Sequence, residues 1–478
     1  MAGISSPGLG SGLDVKSIVA QLVALERKPI EKVQAERKST ETRLSSFGLL
    51  QSYTVNIRDA AKKLASAETW KKATASSSNE AAVAATSTSN TASGSYSIEV
   101  SQLARAQGLA SPLYGSASSP VGSGTLTIQL GAWSTGVPPT FTPKAGASAT
   151  PITITNTPAG SDSLESVRDS INAAEAGVTA SIVNDGAGYR LVLRSSATGE
   201  ENAVKITATG DASLSNLAYS PDEASTGAMG QTVSARNAQA VINGLAISSS
   251  SNTLDATITG LTLTLKQTTT TPVDVSVSKD SAAMRTAVDD FVKAYNALNT
   301  YITEQTKYDP NTKVAGKLQG DASVRSLQSQ LRTLAQASSG ASATLSRLSS
   351  VGIETQRDGS LMVSSSKFEA ALTSPTTLAL AFTNDAVGDA NDGFGVRFST
   401  LTTTLTDTGG LLDSRSEGLR NQMKRQDEQI SRLEDRVSRT EARLLQQYNT
   451  LDSNIGKLNS LGSYVNQQVT AWNNASKN

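Results

Sequence analysis

The apolar positions of this chain fall into two rhythms. Near both ends they recur every three or four residues, the spacing of one helical face. In the middle they alternate every second residue, as strands do. Close to the N-terminus Asp14 reads as a helix cap, and Val15, Ile18, Val19, Leu22 and Leu25 follow on one face. Pro29 is expected to kink or restart this helix. The pattern resumes with Ile30, Val33, Leu44, Phe47, Leu50, Ile57, Ala61 and Leu64. Between Val33 and Leu44 the face turns polar at Arg37 and Thr40, which predicts loose packing at that turn. A continuous helix from Asp14 to Leu64 would run ~75 Å at 1.5 Å per residue.

The far end mirrors the first. Leu419, Met423, Gln426, Ile430, Leu433, Val437, Thr440 and Leu444 recur in steps of four and three, a heptad seam. Leu444 to Tyr448 adds a second consecutive step of four, a stutter that locally unwinds a supercoil. The seam continues through Leu451, Ile455, Leu458, Gly462, Val465, Val469 and Trp472. Its outer face carries Arg420, Lys424, Arg425, Glu428, Arg432, Glu434, Asp435, Arg436, Arg439 and Glu441. The mixed signs fit a solvated coiled-coil face rather than a nucleic-acid stripe. Two long amphipathic ends are expected to pair with each other. Copies of the chain or another assembly would cover what apolar surface remains, and the middle becomes an insertion.

That middle changes character at about Trp70. A Ser/Thr/Ala-rich stretch from Ala73 to Ala92 precedes alternation at Tyr96, Ile98 and Val100, then at Leu126, Ile128 and Leu130. Gly131 to Pro151, rich in Gly, Pro and Ser, reads as a long surface loop. A short helix capped at Ser163, with Glu165 and Glu175 exposed, leads into two alternating runs around Asn184-Asp185-Gly186, a hairpin signal. Leu261, Leu263, Leu265 and Val273, Val275, Val277 predict another hairpin across Thr268 to Pro272. Helix returns with Met284, Val288, Phe291, Val292, Tyr295, Leu298 and Ile302 on one face. A second helix is expected over Ser323 to Leu334, a small hairpin around Asp358-Gly359, and a short helix over Lys367 to Leu372.

Composition narrows the chemistry. The 478 residues include no Cys and no His, which excludes disulfides, Cys/His zinc sites and His-based catalysis. Lys plus Arg and Asp plus Glu both number 42, so no global charge favours nucleic acid or an anionic membrane. The first Lys is Lys16 and no apolar run approaches a membrane span, so neither a cleaved signal peptide nor membrane insertion is expected. The glycines Gly8, Gly10 and Gly12 form Gly-x-Gly-x-Gly with no preceding strand, and Lys16-Ser17 lacks the glycine of a P-loop. They read as a pliable leader rather than a phosphate cradle. The acidic stretch from Asn384 to Gly395 misses the EF-hand spacing and reads as a solvated turn. No carboxylate pair stands out as acid and base, so no catalytic, cofactor or metal residue is assigned.

Several stretches resemble one family in series. GLGSGLDVKSIVAQLVALERKPI is similar to the start of the flagellar filament cap proteins (FliD, hook-associated protein 2). GSYSIEVSQLARAQGLAS, residues 94–111, resembles that family's first strand-and-turn motif. SLESVRDSINAAEAGVTASIVNDGAGYRLVL, ARNAQAVINGLAISSSSNTL, KLQGDASVRSLQSQLR and VGIETQRDGSLMVSSSKFEAAL resemble later parts in the same order. The resemblance implies an α+β multidomain fold, with paired terminal helices as a coiled coil and β-rich head domains inserted between them.

The implied role is a homo-oligomeric ring at the distal tip of the bacterial flagellum, outside the cell, retaining exported flagellin and promoting its polymerisation. Implied partners are further copies of the chain, flagellin, hook–filament junction proteins, the flagellar type III export apparatus and a cytoplasmic export chaperone. No enzyme activity, cofactor or nucleic acid is implied. Some members also bind host mucin.

The expected division is a terminal coiled coil over 1–45 and 440–478, and a helical leg over 46–72 and 280–439. An inner β head would cover 73–110 and 235–279, and an outer one 111–234. Assembly contacts are expected at Ile18, Leu22, Leu25, Leu433, Val437, Leu444, Leu451, Ile455, Leu458 and Val465. The rival readings are another axial flagellar protein, such as a junction protein or flagellin, an extracellular adhesin, and a two-carboxylate glycan enzyme.

Overall fold

Asp14 caps the first helix: its carboxylate accepts a hydrogen bond from the Ser17 N–H at 3.0 Å. The computed structural model describes residues 14–475 apart from 90, 223–227 and 387–388. The Gly8, Gly10 and Gly12 leader lies outside the described residues. The first helix runs Val15–Ala65, 51 residues, and continues through Pro29, so the helix does not restart there. Proline removes the N–H that would meet the Leu25 carbonyl. Leu25 and Pro29 both lie on the exposed side, so water can satisfy that carbonyl.

The chain divides into two compact units, Met1–Thr69 with Met284–Asn478, and Trp70–Ala283. The first is helical. Phe47, Leu50, Ile57, Ala61 and Leu64 of the first helix are fully buried. So are Met284, Val288, Phe291, Leu298 and Ile302 of the Ser281–Thr306 helix, at the spacing its sequence predicts. Phe398, on the Phe394–Thr406 helix, meets Phe291 edge-on at 5.0 Å and Tyr295 at 6.3 Å between ring centroids. Burial pushes the Tyr295 hydroxyl up to about 12. The Ala322–Gln336 helix and the hairpin of Ile353–Thr355 with Leu361–Val363 fall where expected. Asn296 clamps that hairpin by exchanging two hydrogen bonds with the Leu361 backbone, at 2.8 and 2.7 Å. In the acidic stretch, Asp392 accepts from the Ala386 N–H at 2.8 Å, and its carbonyl accepts from the Ser339 hydroxyl at 2.6 Å.

The second unit holds two β cores. One cluster gathers Val83, Ile98, Val100, Leu254, Leu261, Leu263, Val273, Val275 and Val277. It draws on a five-stranded and a three-stranded antiparallel sheet. Leu261–Leu265 and Val273–Lys279 do not form the expected hairpin. The first pairs with Val83–Ser87 and Thr253–Ile258, the second with Ala73–Ser77 and Gly94–Gln102. Alternation marks the buried side of each strand but not its neighbour. Here both strands bury alternate residues in one cluster from different sheets.

The other cluster gathers Leu109, Leu126, Ile128, Ile152, Leu164, Val167, Ile171, Leu191, Leu193, Val204 and Ile206. Its helix, Leu164–Ala173, is capped by the Ser163 hydroxyl, which accepts from the Ser166 N–H at 3.2 Å. The hairpin that follows turns at Asp185, which accepts from Arg190 at 2.7 Å and from the Ala187 and Gly188 N–H groups. The Arg190 hydrogen bond leads in holding its carboxyl below the usual range. The expected loop from Gly131 to Pro151 is a correction: Phe141–Pro143 and Thr150–Ile154 both add to the Gly124–Trp133 strand. Phe141 packs on Trp133 at 4.7 Å, an aromatic contact that draws the segment back to the sheet. Gly124 faces Gly210 across that sheet. A Cβ on Gly124 would sit 2.0 Å from the Thr209 carbonyl oxygen, and its φ of +151 is unfavourable for a side chain.

Candidate assembly surface

The last helix, Leu411–Ala475, is 65 residues long and packs antiparallel on the first. Ion pairs fix the register: Glu26 meets Arg436 at 3.8 Å, and Arg37 donates to Asp427. The hydrogen bond to Asp427 raises the Arg37 guanidinium above its ordinary value. Val15, Val19, Val23, Ile30 and Val437 form the buried seam, with Ile430, Leu433, Leu444, Leu445 and Tyr448 half-buried against it.

Of the expected contact residues, Leu433, Val437 and Leu444 lie in this seam. Ile18 and Leu22 are half-buried, and Leu25 is 57% exposed. These three are spaced as one face of the helix, beside the closed seam rather than within it. Val23 was missed in reading the sequence, although it continues Val15 and Val19 in steps of four. A helix that meets one neighbour buries a narrow stripe, and that stripe runs through Val19 and Val23.

The same register places Val15 opposite the neighbourhood of Tyr448. The last helix continues past that point for about 40 Å, to Ala475, without a counterpart among the described residues of the first. On this stretch Ile455 is half-buried, and Leu451, Leu458 and Val465 are 45%, 64% and 49% exposed. Among the described residues, the apolar periodicity of a coiled coil therefore outruns the first helix.

At the other end of the seam, three helices meet on one carboxylate. Asp321 caps the Ala322–Gln336 helix by accepting from the Ser323 N–H at 3.0 Å. Its second oxygen accepts from Arg43 of the first helix at 3.1 Å, and from Arg415 of the last at 3.1 and 2.8 Å. The Asp321 side chain is 2% exposed, while each arginine is about a third exposed. Arg415 also lies over the Phe47 ring, 5.9 Å from its centre. Asp321 was readable as a helix cap, but nothing local links it to residues 278 and 94 positions away.

Among the described residues no group of three or more acidic side chains is placed to hold a metal ion. None of their helices is long and apolar enough to cross a membrane.

The A-type flagellar hook-associated protein 2 of Pseudomonas aeruginosa is 33% identical over 97% of this chain and 97% of its own length. The chain belongs to the flagellar hook-associated protein 2 family. The match in Escherichia coli strain K12 is 32% identical over 98% of both chains. Models of the family's N-terminus and C-terminus match residues 11–107 and 235–460, and a flagellin hook IN motif matches 144–197. The crystal structure of the D1-D2-D3 domains of the flagellar cap protein FliD from E. coli has a TM-score of 0.63 and 31% identity. It covers 78% of this chain and 99% of that one. The hook-associated protein 2 resemblance read from the motifs is thus the family found, and the fold class is α+β, with long terminal helices around a β-rich middle. The family is a structural one rather than an enzyme class.

Proposed function

We propose that this chain caps the distal tip of the flagellar filament as a homo-oligomeric ring, retaining exported flagellin and promoting its polymerisation. The observation that carries this reading is the antiparallel terminal hairpin whose last helix overhangs its partner with an apolar stripe. A stripe left open within one chain suits a surface that subunits share. Membership of a family whose solved E. coli member is titled a flagellar cap protein supports the same role.

In this reading Ile18, Leu22, Leu25, Leu451, Ile455, Leu458 and Val465 contact neighbours, and Leu433, Val437 and Leu444 hold the hairpin that presents them. The terminal coiled coil (1–45, 440–478) and leg (46–72, 280–439) reach towards flagellin. The β-rich part divides into an inner (73–110, 235–279) and an outer (111–234) domain. The chain acts without catalysis, outside the cell, after export through the flagellar type III apparatus without a cleaved signal, escorted beforehand by a cytoplasmic chaperone. Hook–filament junction proteins are further partners in this reading.

A deletion strain tests the role. We expect monomeric flagellin in the culture medium, with hooks and junction proteins intact. Hooks that also lack junction proteins would instead favour another axial role. Normal filaments and motility with lost attachment would favour an adhesin.

A further inference from the structure

The two β cores of the Trp70–Ala283 unit are joined by two short segments. Residues 103–107 lead from the Gly94–Gln102 strand to the Gly108–Ala110 strand, and residues 234–237 return from Gly230–Val233 to Ala238–Ile242. The segments run antiparallel and meet in one ladder pair. The Arg105 N–H donates to the Arg236 carbonyl at 2.9 Å, and the Arg236 N–H to the Arg105 carbonyl at 3.2 Å. Residues that exchange both hydrogen bonds lie directly opposite, ~5.5 Å apart at Cα, with their side chains on one side. The backbone around them is held in place. Asn252 exchanges two side-chain hydrogen bonds with the Ala104 backbone, at 2.7 and 3.0 Å. The Gly199 N–H donates to the Arg105 carbonyl at 3.1 Å, and the Asn237 side chain accepts from the Glu200 N–H at 2.9 Å. In the same loop Glu201 turns its carboxylate to Lys144, 3.5 Å away. Among the described residues neither the Arg105 nor the Arg236 side chain has an ion-pair or hydrogen-bond partner. Arg105 is exposed, whereas Arg236 is half-buried and its Nε is enclosed without an acceptor.

The register thus sets two positive charges side by side with nothing to offset them, an arrangement that destabilises a ladder. We propose that Arg105 and Arg236 form a binding site for an oxyanion, inorganic phosphate being the simplest. Each planar guanidinium presents a fork of N–H donors, so the two can take separate oxygens of one anion. Bound there, the anion cancels the repulsion and spans both connecting segments, tying one β core to the other. The backbone already fixes the two Cα positions, so binding has only the side chains to order. A carboxylate of a second copy of the chain offers the same chemistry at the exposed Arg105. The inference rests on this pair alone and does not depend on the cap reading.

Calorimetric titration of the full-length chain with phosphate, at an ionic strength held constant with chloride, tests it. We expect saturable binding at a single site per chain. Arg236→Gln and Arg105→Gln should each weaken it by roughly tenfold, the loss of one charged hydrogen-bonding group. Arg105 is exposed, so its variant keeps the test available if Arg236→Gln misfolds. Arg194→Gln, at an exposed arginine of the Tyr189–Ser195 strand outside the pair, should leave binding unchanged. Sedimentation of the same proteins separates the two sources of the anion. Self-association indifferent to phosphate identifies a free ion as the ligand. Self-association that phosphate and both variants weaken alike identifies a carboxylate of a second copy. Absence of saturable binding together with unchanged self-association would overturn the proposal. So would phosphate binding that both variants retain.

Discussion

Leu22→Asp and Ile455→Asp should each abolish swimming while the Trp70–Ala283 unit stays folded. Neither residue belongs to the cluster that closes the terminal hairpin. A carboxylate at a partly exposed helix position costs the isolated chain roughly half a kcal/mol of helix propensity. At a contact between subunits the same carboxylate loses the burial of a leucine or isoleucine, worth about 1.5–3 kcal/mol. It also strands a charge in an apolar interface, and the loss repeats at every equivalent contact in a closed ring. The predicted signature is therefore a large functional loss with a small change in melting. Swim-plate radius and thermal unfolding followed by circular dichroism separate the two. Full swimming in both variants would show that these stripes are not assembly surfaces.

Asp321→Ala should lower the stability of the helical unit more than most surface changes. It removes a helix cap worth about 1 kcal/mol. It also leaves Arg43 and Arg415 facing each other without their carboxylate, for which about 2–3 kcal/mol is reasonable because a third of each arginine remains in water. For a unit of this size each kcal/mol shifts Tm by about 2–4 °C, so a fall of roughly 10 °C is expected. Asp321→Asn keeps an acceptor for the Ser323 N–H but loses the charge, so it should fall between wild type and Ala. Calorimetry of the full chain reads both. A helical-unit transition that moves by less than about 2 °C in the Ala variant would mean the node is not a structural tie.

Most helices and many strands were legible because their causes are local. Asp14 and Ser163 cap where the sequence places them, since a cap needs only a side chain within three residues of its N–H partner. The faces of Met284–Ile302 and of the terminal seam follow from helical spacing. Pairing between distant segments was not legible. Val273–Lys279 lies beside Ala73–Ser77, two hundred residues earlier, and alternation carries no address for that partner. Pro29 does not restart the helix, and the Leu25 carbonyl it frees lies on the exposed side. The Asp321 node escaped notice because two of its three members belong to helices far apart in sequence. Of the candidate surface, the heptad seam was visible. Which of its residues close the hairpin depends on where the first helix begins relative to the last.

The most direct test of the cap reading is the position of the protein on the flagellum. Filaments from a strain carrying an epitope-tagged chain should show gold label in electron micrographs as a single cluster at the distal end. Label spread along the filament, or confined to the junction between hook and filament, would contradict the account.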